Sequence, residues 1–189
     1  MVDGAALLMS MVWSFRAAGY WQDERGVNLL DSGAHFYDSY ETADGKYLAI
    51  GAIEPQFYAQ FRKVTGLESD GSFDAQMDAS TWPNLKQKLA GILRTKSRDD
   101  WMMLFEGTDC CVAPVLSMTE APHHAHNALR KTFVESNGVT QPTPAPRFSA
   151  TPSVPPAPHP GHTDTRDILT DLGYTPDRID ALTSARVLT

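Results

Sequence analysis

GAHFYDSYETADGKYLAIGAIEPQFYAQF, residues 33–61, reads as two strands and a helix in immediate succession. Tyr37, Tyr40 and Thr42 give the stretch near 36–42 the aromatic and β-branched character that suits a pleated surface. A second strand follows near 46–53. Asp44-Gly45 between them is a hairpin signal, because a tight two-residue turn needs positive φ at both central positions. Pro55 suits the first helical position, where its missing N–H is no loss. The helix near 55–65 carries Phe57, Phe61 and Val64 at helical spacing and stops at Gly66. This order leaves Glu54 at the junction of strand and helix. Ser, Thr, Asp and Asn are the preferred caps there, not glutamate. Its carboxylate either complements the positive end of the helix dipole or is held there for chemistry.

Upstream, MVDGAALLMSMVWSF (1–15) puts Leu7, Leu8, Met11, Val12 and Phe15 on one helical face, predicting a helix over about 2–18. No basic region precedes it and Asp3 interrupts its start, so it is not a signal peptide. It falls short of the about 20 apolar residues that span a bilayer. A helix that starts at residue one without a cap reads as a chain entering in mid-domain. A loop with Gly19, Gly26 and Asn28 then leads to Asp31-Ser32-Gly33.

Downstream, a polar loop fills 68–80, and Pro83 opens a helix with Leu85, Leu89, Ile92 and Leu93 on one side. Ser97 with Asp100 resembles a capping box for a short helix through Trp101, Leu104 and Phe105. Val112–Leu116 reads as a short apolar strand, and a helix from Met118 is interrupted by Pro122. Eight of the thirteen prolines sit in 142–160, which excludes helix and central strand there. That stretch is expected to run extended, as a linker or over a surface. Two short helices fit 161–188, with Thr163 and Asp164 capping the first, Thr175-Pro176 starting the second and Gly173 between them.

At 42% hydrophobic the 189 residues suffice for a core. A net charge of −7 argues against nonspecific nucleic-acid binding and against an anionic membrane surface. Cys110 and Cys111 are adjacent, so they do not suit a disulfide with each other. Both are expected as reduced, buried thiols in a cytoplasmic protein.

Three strings carry a resemblance: DSGAHFYDSYETADGKYLAIGAIEPQFY (31–58), DCCVAPVLSMTEAPHHAHNALRKTFVE (109–135) and GHTDTRDILTDLGYTPDRIDALTSARVL (161–188). They resemble the α-methylacyl-CoA racemases of the class III CoA-transferase superfamily. YETADGKY and GHT…ILTDLGY are marks of the whole superfamily; GAIEPQFY points to the racemase branch. The resemblance implies an α/β enzyme of which this chain is the C-terminal half. Residues 1–30 would be a linking helix, 31–118 a small α+β domain of hairpin and helices, and 119–189 a segment returning to a Rossmann-like large domain. That missing half would hold most of the CoA site and the His and Asp that exchange the α-proton. The implied partners are an acyl-CoA substrate, the large-domain half, and a second copy in an intertwined homodimer. No cofactor and no metal are implied, since the thioester itself activates its α-hydrogen.

On this resemblance Glu54 hydrogen-bonds and orients the absent catalytic His, a contact that fixes a tautomer and favours imidazolium. Tyr37 would line the acyl end of the cleft, and Met9 and Met11 would belong to a methionine-lined acyl surface. Ordinary packing also accounts for Tyr37 and for the methionines. Ser32 departs from the expected Asp-Gly-Gly, which puts a left-handed turn there in question. His35 stands where proline is common and is expected as an exposed loop residue. His123, His124 and His126 match no zinc spacing. Two alternatives stay open: a class III acyl-CoA transferase fragment, and a non-catalytic dimerisation module.

Overall fold

The computed structural model describes residues 1–136, 138–153 and 164–188. The chain divides into two compact units, Met1–Ser117 and Met118–Thr189. The architecture is α+β, helices around small antiparallel sheets.

In the first unit, β1 (Tyr37–Glu41), β2 (Tyr47–Gly51) and β3 (Val112–Val115) form an antiparallel sheet in that order. The register pairs Tyr37 with Gly51 and Ala49 with Ala113. The hairpin turn differs from the two-residue form expected. Gly45 N–H donates to Thr42 O at 3.0 Å, Thr42 N–H to Lys46 O at 2.8 Å, and only Gly45 of the Asp-Gly pair has positive φ, 74°. This is the longer turn ending in a left-handed glycine. Asp44 keeps negative φ because its carboxylate accepts from Thr42 Oγ1 (2.6 Å) and Arg98 N–H (3.1 Å).

α3 runs Pro55–Thr65 and ends at Gly66 in the left-handed conformation. It buries Tyr58, Phe61 and Thr65, whereas Phe57 and Val64 are half-buried, so the inward face is rotated from the one expected. α4 (Trp82–Leu93) buries Leu85, Leu89 and Leu93. α5 (Arg98–Phe105) buries Trp101 and Phe105, while Leu104 faces water. Its cap Ser97 Oγ accepts Asp100 N–H at 3.1 Å and donates to Asp100 Oδ2 at 2.6 Å. The acid thus takes the cap hydroxyl proton instead of reaching the cap amide. The inner sheet face, with Tyr40, Leu48 and Ile50, joins Phe36, Phe61, Phe73 and Trp82 in one core.

The amino-terminal helix is two pieces, α1 (Val2–Leu8) and α2 (Ser10–Ala17), with Met9 at φ −82° and ψ 2° between them. Neither piece buries a residue, and Leu7, Leu8, Met9 and Met11 are exposed. The loop that follows is closed by Asp31, whose carboxylate accepts Gly26 N–H (3.0 Å), Asn28 N–H (2.7 Å) and Asn28 Nδ2 (2.7 Å). Burial pushes the Asp31 carboxyl up, but these hydrogen bonds outweigh it and hold it below the usual range. Ser32 does adopt the left-handed conformation, φ 73°, despite its β-carbon. Gly33 N–H donates to Asn28 O at 3.0 Å, and a β-carbon on Gly33 would lie 2.5 Å from the Val27 carbonyl carbon and closer still to Asn28 O. Gly33→Ala is therefore expected to cost about 2 kcal/mol by overpacking against backbone; a lowered urea midpoint measures it.

His35 is fully buried, not exposed. Its Nε2 lies 2.7 Å from Tyr58 Oη, and its ring sits edge-on to Phe36, Tyr58 and Phe73.

The second unit holds α6 (Ala125–Leu129), a hairpin of β4 (Phe133–Ser136) and β5 (Val139–Pro142) that the sequence reading did not anticipate, α7 (Thr165–Asp171) and α8 (Pro176–Ser184). The helix expected from Met118 starts later: His123 closes a 3₁₀ turn and His126 lies in α6. Arg147 donates to Arg130 O (2.5 Å) and Lys131 O (2.8 Å), capping carbonyls that α6 leaves free. Thr175 Oγ1 accepts Arg178 N–H at 3.4 Å, as expected of a cap. Residues 143–153 of the proline-rich stretch carry no helix or strand. Most of its remainder, and Thr163, lie outside the described residues. No described helix is long and apolar enough to cross a membrane.

Candidate functional site

Strand alternation sends Tyr37, Ala49, Gly51 and Ala113 to the sheet face opposite the core. These residues, with Leu30, Ser32, Asp38 and Cys111, line an open cavity of about 360 Å³. Gly51 is the cross-strand partner of Tyr37, and a β-carbon there would touch the ring at 3.7 Å. The tyrosine thus lies across a position that has no side chain of its own. Cys111 extends the third edge: its φ is 51° and its carbonyl accepts Gly51 N–H at 2.9 Å.

Glu54 caps α3 in an extended conformation, φ −70° and ψ 140°, with its side chain exposed. The carboxylate makes no cap hydrogen bond to its own helix. Its charge reaches Cys111. Partial burial, then Asp109, then Glu54 push that thiol above its ordinary value. Asp38, the acid on the cavity wall, pairs with Lys86 Nζ at 2.6 Å, and that ammonium also donates to Ser32 O.

The sequence readings meet the structure unevenly. Tyr37 lines the cavity with Cys111, whereas Glu54 is not among its lining residues. Met9 and Met11 are exposed on the amino-terminal helices and border neither this cavity nor the apolar one beside Trp82. Asp31 organises its loop and offers no spare oxygen to chemistry. Cys111 was expected to be buried and is not; Cys110 is. Leu30 and Ser32 gave no chemical signal and reach the cavity through loop geometry alone. Among the described residues, no three His, Cys, Asp or Glu side chains group as a metal site.

The unit thus carries a shallow cavity with an aromatic wall and, outside that lining, an exposed carboxylate at a helix N-terminus. Such a carboxylate can accept a hydrogen bond from, and stabilise positive charge on, an imidazole brought to it. No histidine lines the cavity itself.

Similar proteins share this architecture. α-Methylacyl-CoA racemase of Mus musculus is 43% identical over 192 residues, covering 100% of this chain and 50% of the relative. The racemase of the same name from Homo sapiens is 41% identical with the same coverage. The chain thus spans about half the length of the curated relatives it matches. The crystal structure of a hypothetical protein (Rv3272) from Mycobacterium tuberculosis superposes with a TM-score of 0.60 at 19% identity, covering 86% of this chain and 44% of that one. At that identity it speaks for the fold. The profile of CoA-transferase family III matches residues 1–165, and on that match the chain belongs to CoA-transferase family III.

Proposed function

We propose that this chain is the C-terminal part of an α-methylacyl-CoA racemase, which epimerises the 2-methyl centre of acyl-CoA thioesters. The observation that carries the reading is identity above 40% with two racemases along the whole chain. Removing an α-proton and returning it on the other face needs an acid, a base and donors for the enolate oxygen. In this reading the His and Asp that move the proton come from polypeptide outside this chain. Glu54 is a positioning residue that accepts a hydrogen bond from that His. Tyr37 walls the acyl end, and the cavity beside it admits the α-carbon. The exposure of Glu54 and the lack of a cap hydrogen bond from its side chain to α3 support its role. The same reading carries an acyl-CoA substrate, a homodimer, fatty-acid metabolism and a cytoplasmic location.

The experiment is α-proton exchange in deuterated water. The enzyme that carries this chain is expected to wash deuterium into 2-methylacyl-CoA and to equilibrate its epimers, and residues 1–189 alone are expected to do neither. CoA transfer to a free acid without epimerisation would replace the racemase reading with the transferase one. Exchange by residues 1–189 alone would place the acid–base pair within this chain and end the assignment of Glu54.

A further inference from the structure

The second unit has a cavity of its own, about 520 Å³, bordered by Arg130, Thr132, Pro142, Thr143, Pro146 and Arg147. Its charge runs against that of the chain. Residues 121–163 hold Arg130, Lys131 and Arg147 against Glu135 alone, whereas the whole chain carries a net charge of −7. Glu135 does not border the cavity.

The backbone brings the two arginines together. α6 ends at Arg130, and the chain reverses at Lys131, which has positive φ, 50°. Thr143 N–H donates to Thr132 O at 2.9 Å, which carries the β4–β5 pairing one step further and sets the residues after β5 beside the end of α6. Arg147 then reaches back to Arg130 O and Lys131 O, one bond from each terminal nitrogen. Thr143 Oγ1 donates to Lys131 O at 2.7 Å and tightens the same turn. A guanidinium has five N–H donors. Arg147 is thus held in place while its Nε–H and one N–H on each terminal nitrogen stay open. The Arg130 side chain is exposed, and neither it nor the Thr132 hydroxyl has a partner among the described residues. Pro142 and Pro146 present ring hydrocarbon and no N–H.

A ligand has to answer both sides of this cavity. One carboxylate matches one guanidinium fork. Two arginines match a group with a charge nearer −2 and three strong acceptor oxygens, which is a phosphate monoester. A bare phosphate ion would leave the proline side empty, and cavities of about 300–1,000 Å³ are usual for small organic ligands. We infer that the second unit binds the phosphate monoester of a small organic molecule, with the phosphate on Arg130 and Arg147 and the body against Pro142 and Pro146. The inference goes beyond the racemase reading and does not rest on it.

The test is titration calorimetry of residues 1–189 with phenyl phosphate at pH 7.5 in about 0.15 M salt, where exposed charge is well screened. Saturable binding is expected. Arg130→Gln is expected to weaken it about tenfold, the loss of a charge-assisted contact, with an unchanged urea midpoint. Arg147→Lys keeps the charge but loses the fork, and is expected to weaken it to a similar degree. Inorganic phosphate, which lacks the body, and benzoate, which lacks the second charge, are each expected to bind about tenfold more weakly than phenyl phosphate. The Nε–H resonance of Arg147 in the unsubstituted chain is expected to shift on saturation, which locates the ligand without relying on any variant. An absence of saturable binding overturns the inference, and so does an affinity unchanged in both variants or an unmoved Arg147 resonance. Benzoate binding as tightly as phenyl phosphate overturns the phosphate assignment, and inorganic phosphate doing so overturns the organic body.

Discussion

On the racemase reading, Glu54→Gln in the enzyme that carries this chain is expected to lower kcat/KM for 2-methylacyl-CoA racemisation by roughly 10–100-fold, the usual effect of removing a group that orients a catalytic or ligating His. Thermal stability stays within about 0.5 kcal/mol, as for surface substitutions generally. The two halves of this expectation have one cause. Glu54 is exposed and makes no cap hydrogen bond to α3, so the fold does not use the carboxylate. A carboxylate beside an imidazole stabilises its protonated form, so the neutral amide lowers the pKa of the His it orients. The limb of the pH–rate profile that belongs to this His then moves to lower pH in the variant. A structural role would instead lower stability and leave the limb in place. Unchanged turnover with an unchanged profile would remove Glu54 from the mechanism.

The position of Glu54 at the start of α3 was legible in the sequence for a local reason. Pro55 fixes the helix start, so the residue before it must be the cap whatever its chemistry. The strands were legible because their aromatic and β-branched runs flank a glycine turn. The turn type was not, because a carboxylate on Asp44 that binds Thr42 and Arg98 depends on α5, more than fifty residues away along the chain. The face of α3 was misread for a similar reason. Phe57, Phe61 and Val64 form a fair apolar stripe, but Tyr58 is drawn inward by hydroxyl partners, His35 and the carbonyl of Phe73. Polar atoms with buried partners invert a hydrophobicity pattern. Met9 and Met11 are exposed on the amino-terminal helices, and helical periodicity identifies such a face but not what covers it. The apolar cavity beside Trp82 was invisible because its walls come from α2, the Asp31 loop and the segment before α4, which only the tertiary fold brings together.

His35 makes the first unit sensitive to acid, and the size of the effect follows from its hydrogen bonds. Tyr58 Oη donates to Phe73 O at 3.0 Å, so it can only accept from His35, and the Nε2–H tautomer follows. Nδ1 is then a bare nitrogen, buried and without a hydrogen-bond partner among the described residues. A second proton would have to sit there, unpaired. Burial accordingly pushes the His35 pKa down from 6.5 to about 4. The phenols that meet His35 offer no compensation, since Tyr58 at its ring and Tyr40 at its carbonyl stay neutral, pushed further up by burial. Between pH 6.5 and 4 the unfolded chain takes up a proton that the folded chain refuses. Stability is therefore complete above about pH 6.5 and falls as pH drops, by about 3 kcal/mol once pH reaches 4. Asp70, held at about 2 by Ser72 and Lys88, loses its contribution only below this window. Urea unfolding of residues 1–189 at pH 7.5, 5.5 and 4.5, followed by tryptophan emission, measures the slope. His35→Phe keeps the Tyr58–Phe73 hydrogen bond, removes the titrating ring and is expected to flatten that slope. A variant as acid-sensitive as the wild type would mean that the proton taken up on unfolding belongs to another residue.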